Sequence, residues 1–203
     1  ITTNAGNTSY YASYGYGFRS GGFNSTGSAA TTDFWLNSGN PFGLGVVGAG
    51  ISVNDEFDKE VSRAFEVGFK GTYLDGRLAM NGAYFNTNVT DNQFFEFFAG
   101  PWGLLRVVTT IDELDISGYE LDFKYAVTDN LKIDGAFGIT DGEIKENAHR
   151  PSTIGNDAPL APEHTFNLGF QYDTPVTKDF DLVLRVDYME VGDTWFHTVQ
   201  NNT

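Results

Sequence analysis

Phe65-Glu66-Val67-Gly68-Phe69-Lys70-Gly71-Thr72-Tyr73 carries Phe, Val, Phe, Gly and Tyr at its odd positions and Glu, Gly, Lys and Thr at its even ones. A strand points successive side chains to opposite faces, so period 2 gives this stretch one apolar and one polar face. Asp75-Gly76 follows, a two-residue hairpin signal because both residues tolerate positive φ. The return stretch 77–88 sets Leu78, Met80, Gly82 and Tyr84 against Ala79, Asn81 and Ala83, with Phe85 an exception on the polar side.

The pattern spreads in both directions. Tyr119, Leu121, Phe123 and Tyr125 alternate with Gly118, Glu120, Asp122 and Lys124; Leu131, Ile133, Gly135, Phe137 and Ile139 follow after the turn Thr128-Asp129-Asn130. Phe166, Leu168, Phe170 and Tyr172, then Leu182, Leu184, Val186 and Tyr188, make two more strands, and Tyr10, Ala12, Tyr14, Tyr16 and Phe18 share a face near the N-terminus. The fold expected is all-β, an antiparallel meander of about seven or eight long strands. Short turns follow Leu74, Val127 and Tyr172, whereas 19–60, 89–115 and 141–163 read as long loops that emerge at one common end.

Composition agrees. Of 203 residues, 24 are Gly, 18 Phe, 10 Tyr and 3 Trp, in a chain only 40% hydrophobic. Aromatic residues fit pleated surfaces, and Gly weakens helices. The absence of Cys removes disulfide scaffolds, thiolate metal sites and cysteine nucleophiles. The formal charge of -15, from 27 acidic and 12 basic residues, argues against a nucleic-acid partner. The longest apolar candidate, 46–51, is far short of the roughly 18 residues of a membrane helix. Ile1-Thr2-Thr3-Asn4 is neither an initiator Met nor a secretion signal, so the chain is expected to be processed or part of something longer.

Alternation suits a soluble sandwich as well as a membrane barrel. The runs, about 10–12 residues, exceed ordinary globular strands and match tilted spanning ones. Tyr73, Tyr84, Tyr125, Tyr172 and Tyr188 sit where an interfacial aromatic belt is expected, near strand ends. The barrel reading assigns a lipid-facing set: Phe65, Val67, Phe69, Tyr73, Leu78, Met80, Tyr84, Tyr119, Leu121, Phe123, Tyr125, Leu131, Ile133, Phe137, Phe166, Leu168, Phe170, Tyr172, Leu182, Leu184, Val186 and Tyr188. Mid-strand charges such as Glu66, Lys70, Asp134 and Arg185 would then line a wet lumen.

Specific segments are similar to those of one family. Tyr11-Ala12-Ser13-Tyr14-Gly15-Tyr16-Gly17-Phe18-Arg19-Ser20-Gly21-Gly22-Phe23-Asn24 resembles a segment of TonB-dependent outer-membrane receptors. So do stretches 60–71 (EVSRAFEVGFKG), 74–78 with Ala83, Phe85, Asp91 and Gln93, 117–122 (SGYELD) and 158–165 (APLAPEHT), all in the family's order. The resemblance implies that residues 1–203 are a portion, from the C-terminal half, of one transmembrane barrel of about 22 strands. The plug domain and closing strands are expected to lie outside it. It also implies an outer-membrane location in a Gram-negative bacterium, uptake of a scarce nutrient such as a metal–siderophore complex, and a TonB-type energy transducer acting through the plug. Partners implied are outer-membrane lipid, the remaining barrel and plug, and a small nutrient ligand. The competing reading is a barrel-derived fragment that self-associates through its open edges into a tube or fibre.

No cofactor is expected and no enzyme: the chain shows no nucleophile elbow, and Gly15-Tyr16-Gly17 precedes no helix. The acidic groups Asp55, Glu56 and Asp58, and Asp112, Glu113 and Asp115, are candidate Ca²⁺ ligands, set against the plainer reading of solvated loop ends. Phe94, Phe95, Phe97, Phe98 and Trp102 are candidate ligand contacts at the barrel mouth, set against a continuing strand. His149, His164 and His197 show no metal spacing and read as solvated loop residues.

Overall fold

Alternation along the chain is realised as strands throughout the computed structural model, which describes residues 7–37, 52–100 and 103–200. The elements are β1 (Asn7–Arg19), β2 (Gly22–Phe23), α1 (Ser28–Thr32) with a π-helical turn at Asp33–Asn37, β3 (Glu56–Phe57), β4 (Glu60–Tyr73), β5 (Leu78–Gly100), β6 (Gly103–Ala126), β7 (Leu131–Glu146), β8 (His164–Pro175) and β9 (Asp181–Val191). Seven strands form one antiparallel sheet in the order β1-β4-β5-β6-β7-β8-β9, and β2 pairs with β3 separately. Among the described residues the sheet is open, with β1 and β9 at its edges.

The turn at Asp75-Gly76 forms as its residues dictate. Their φ values are 57° and 87°, Leu74 before them is left-handed too at 55°, and Arg77 N–H donates to the Leu74 carbonyl at 3.1 Å just beyond the last strand pair, Tyr73 with Leu78. The Arg77 guanidinium reaches sideways, donating from Nε to the Ala126 carbonyl at 2.9 Å and from Nη2 to the Val127 carbonyl. Asn130 Nδ2 donates to the Asp173 carbonyl at 2.6 Å, and Asp173 N–H to that of Asn130. The short-turn end is therefore cross-tied from β4 to β8.

Register sorts the side chains. Phe69, Gly82, Leu121, Phe137 and Phe166 are successive cross-strand partners, as are Tyr73, Leu78, Tyr125, Ile133, Phe170 and Val186. Every residue of the lipid-facing set named above falls on this one face. Phe85, the exception on the other face, pairs with Gly118, and a Cβ there would lie 2.6 Å from the Phe85 ring. The ring occupies the space that glycine leaves.

The apolar face is a slanted band rather than a rectangle. Its upper limit is Phe18 on β1, level with Val61, and Tyr188 on β9, level with Gly71 of β4 through Leu168, Gly135, Phe123 and Met80. The band thus slips by about 1.7 residues per strand, which at 3.3 Å rise and 4.8 Å spacing inclines the strands by about 49°. Strands of closed transmembrane barrels incline by roughly 35–45°, close to this slant.

Two expectations need correction. Residues 89–115 are not a loop: β5 and β6 continue as one hairpin, paired out to Gly100 and Gly103. The aromatic and β-branched residues there favour strand, but Asp91 takes φ 55° and breaks the period. Before it, odd-numbered Val89 faces the buried cluster; beyond it, even-numbered Phe94 and Glu96 do. Likewise Tyr84 lies mid-strand rather than at a strand end, and packs on Tyr119 with ring centroids 5.0 Å apart.

Candidate functional site

Both faces of the open sheet are lightly covered, and the buried cluster sits at the loop end. Val89, Ile111, Leu114, Ile144 and Ala158 form it, with Phe94, Ile116 and Ala161 against it. Over this cluster three segments converge: the β5–β6 hairpin, the β7–β8 connection at 147–163 and the stretch 192–200 after β9.

Glu96 is the charge at their centre. It is 3% exposed, between Phe95 and Phe97, and accepts from Arg150 Nε at 2.9 Å and Nη2 at 2.5 Å. A two-pronged guanidinium–carboxylate pair satisfies a charge that burial would otherwise penalise heavily. Asn147 Nδ2 donates to Thr153 Oγ1 at 2.9 Å, and Arg150 N–H to Asn147 Oδ1, fixing the loop that carries Arg150. Glu60 forms a second node: Arg19 Nη2, Gln93 N–H and Asn92 Nδ2 all donate to its Oε2, at 2.5, 2.8 and 3.1 Å. Gln93 Nε2 also reaches the Ser20 and Asp58 carbonyls, so one side chain ties the 19–60 connection to the hairpin.

The polar face of the sheet is an ion-paired wall. Arg185 donates to both oxygens of Asp134 at 3.0 and 3.2 Å and is shared with Asp187. Lys132 pairs with Asp173 at 3.0 Å, Asn81 donates to Asp122 at 2.9 Å, and Tyr11 donates to Glu66 at 2.6 Å while Lys70 lies over its ring.

The structure divides the aromatic candidates. Phe94 packs into the buried cluster, whereas Phe95 and Phe97 are exposed on the opposite face, Phe95 beneath Arg106 at 4.1 Å. Phe98 is half-buried in the same strand, and Trp102 lies outside the described residues. Four of the carboxylate candidates accept hydrogen bonds. Asp55 accepts from Ala29 N–H, Asp112 from Ala148 N–H, and Glu113 and Asp115 share Asn88 Nδ2 at 2.7 and 2.8 Å. Glu56 lies on β3, and Asp58 touches Gln93 through its carbonyl. Among the described residues no three His, Asp or Glu side chains are grouped to hold a metal ion.

His149 lies half-buried in the 147–163 connection, and the other two histidines depart from the solvated loop reading. His164 begins β8 beside Glu190 at 3.6 Å. His197 is half-buried with its ring edge-on to Phe94 at 5.8 Å, and burial holds its imidazole below the ordinary value, Arg150 adding to that and Glu96 opposing it. Burial also pushes the Asp91 carboxyl up, helped by the carboxylates of Asp58 and Asp112. Glu96, Arg150, Gln93 and His197 were not identified as a site from sequence; the one available signal was a lone acid inside the run Phe94-Phe95-Glu96-Phe97-Phe98.

A meander with a slanted apolar band on one face, an ion-paired opposite face, tied short turns and a folded loop end defines a segment of a membrane β-barrel wall. The family model described as TonB dependent receptor-like, beta-barrel matches residues 4–203, and the chain belongs to that family. It is 27% identical over 135 residues to the catecholate siderophore receptor Fiu of Escherichia coli, covering 66% of this chain and 17% of that receptor. To the metal-pseudopaline receptor CntO of Pseudomonas aeruginosa it is 32% identical over 114 residues, 55% of this chain and 15% of CntO. The fold is also that of the ferric yersiniabactin uptake receptor FyuA from Yersinia pestis, with TM-score 0.64 at 19% identity over 98% of this chain and 25% of FyuA. The chain thus spans about a sixth of the curated relatives' length in these alignments.

Proposed function

We propose that this chain is part of the outer-membrane wall of a TonB-dependent receptor that takes up a scarce nutrient, such as a metal–siderophore complex, using energy delivered through a plug domain. The slanted apolar band carries this reading: its inclination fits strands spanning a bilayer, with the lipid-facing set on outer-membrane lipid. The ion-paired wall then faces the lumen and the plug, and the edges β1 and β9 pair with the rest of the barrel. The loop end is the extracellular mouth; there Phe98 shares the lumen side of the hairpin with Phe94 and Glu96 and is the aromatic candidate turned toward a ligand, whereas Phe95 and Phe97 lie on the outward face. Receptor relatives of siderophores and metal complexes favour this over a self-assembling fibre.

The test is accumulation of radiolabelled ferric complexes by cells that express the full-length receptor as their sole uptake route. Uptake of at least one complex is expected with an active TonB system and none without it. Correct insertion with no TonB-dependent uptake of any metal complex would overturn the proposal.

A further inference from the structure

The segment after β9 doubles back over the mouth and is held by a short set of bonds. Leu160 N–H donates to the Trp195 carbonyl at 2.7 Å, and Glu163 N–H to that of Asp193 at 3.2 Å. Asn156 Nδ2 donates to the Thr198 carbonyl at 2.8 Å, and Gln200 exchanges two bonds with the Asp157 backbone. At its centre Val199 N–H donates to His197 Nδ1 at 3.0 Å while the ring edge meets Phe94 of β5.

That bond sets the protonation state. Nδ1 can accept only when it carries no proton, so the ring is neutral with its proton on Nε2. Protonation turns Nδ1 into a donor facing another donor, which breaks the Val199 bond. The charged groups facing the ring are Glu96 of β5 and Arg150 of the β7–β8 connection, and these two are already paired to each other. Burial disfavours the imidazolium most, Glu96 attracts it, and the smaller repulsion by Arg150 adds to the burial effect.

We infer that residues 192–200 form an acid-released strap, docked on the β5–β6 hairpin and the 147–163 connection at neutral pH and set free when His197 gains a proton. The sign follows from linkage. In the released state the imidazole titrates near its ordinary 6.5, and docking depresses that value, so release takes up a proton. The docked state keeps its full stability above that pH and loses it progressively below. The strap rests on the mouth assignment for its meaning, but its motion can be read without transport.

The full-length receptor in lipid nanodiscs, carrying spin labels at Ser152→Cys and Phe196→Cys, tests this. Both positions are exposed, one on the connection and one on the strap. Between pH 7.5 and 5.5 the short-distance population is expected to fall by about twofold or more. His197→Asn, whose side-chain oxygen can accept from Val199 N–H without titrating, is expected to hold the short distance at both values. His197→Arg should show the long distance at both. An unchanged wild-type distribution, or acid opening of the Asn variant equal to wild type, overturns the inference. A receptor that opens in acid yet imports nothing would remove the uptake reading and leave the strap standing.

Discussion

At the scale of single residues, Glu96 shows how much a buried charge depends on its partner. Glu96→Ala leaves the Arg150 guanidinium largely buried and unpaired, and the expected loss is about 3 kcal/mol, read from the denaturation midpoint of the folded receptor. Adding Arg150→Met should recover much of that loss; equal damage from single and double variants would mean that the pair is not the cause. Gly118 is a second sensitive point. Gly118→Val would push a side chain against the Ile139 carbonyl oxygen and the Phe85 ring and is expected to cost about 3 kcal/mol, with Phe85→Ala in the same chain relieving only the share due to the ring. On the apolar face, Leu121→Arg should lower folding yield in lipid vesicles far more than Asp122→Asn on the polar face, since charge at mid-bilayer costs about 2–4 kcal/mol. Equal yields would refute the facing assigned to β6.

At the scale of elements, the β5–β6 hairpin turns on Asp91. Its raised carboxyl value means that the hairpin base favours the protonated acid, so this contribution is present at low pH and lost as the pH rises through the folded value. Asp91→Asn keeps a residue that tolerates the left-handed φ and removes the charge facing Asp58 and Asp112. Slower amide exchange across 89–113 at neutral pH is the expected result; faster exchange would show that the carboxylate stabilises the kink. The same residue explains what the sequence did and did not disclose. All seven sheet strands were legible because alternation runs unbroken through their central residues, as in 65–73 and 119–125. The hairpin beyond Val89 was not, because one left-handed residue exchanges the faces and the period fails at that point. The loop-end site was less legible still: Glu96 and Arg150 are 54 positions apart, and no local pattern links an acid in an aromatic run to an arginine in a proline-containing loop.

At the scale of the whole molecule, the slanted band makes a claim about orientation. Polarised infrared measurements on the full-length receptor in aligned bilayers should give a mean strand tilt of roughly 45–50°, and strands lying parallel to the bilayer normal would contradict the band geometry. The cross-tied turns have a mechanical consequence. Because Arg77 links the β4–β5 turn to the β6–β7 turn, and Asn130 links that turn to β8, neighbouring hairpins share an axial load instead of peeling away one at a time. The turn rim then acts as a hoop. Pulling on the receptor from the turn side should therefore unfold β4 to β8 in one large force event, and Arg77→Ala should split that event into smaller steps.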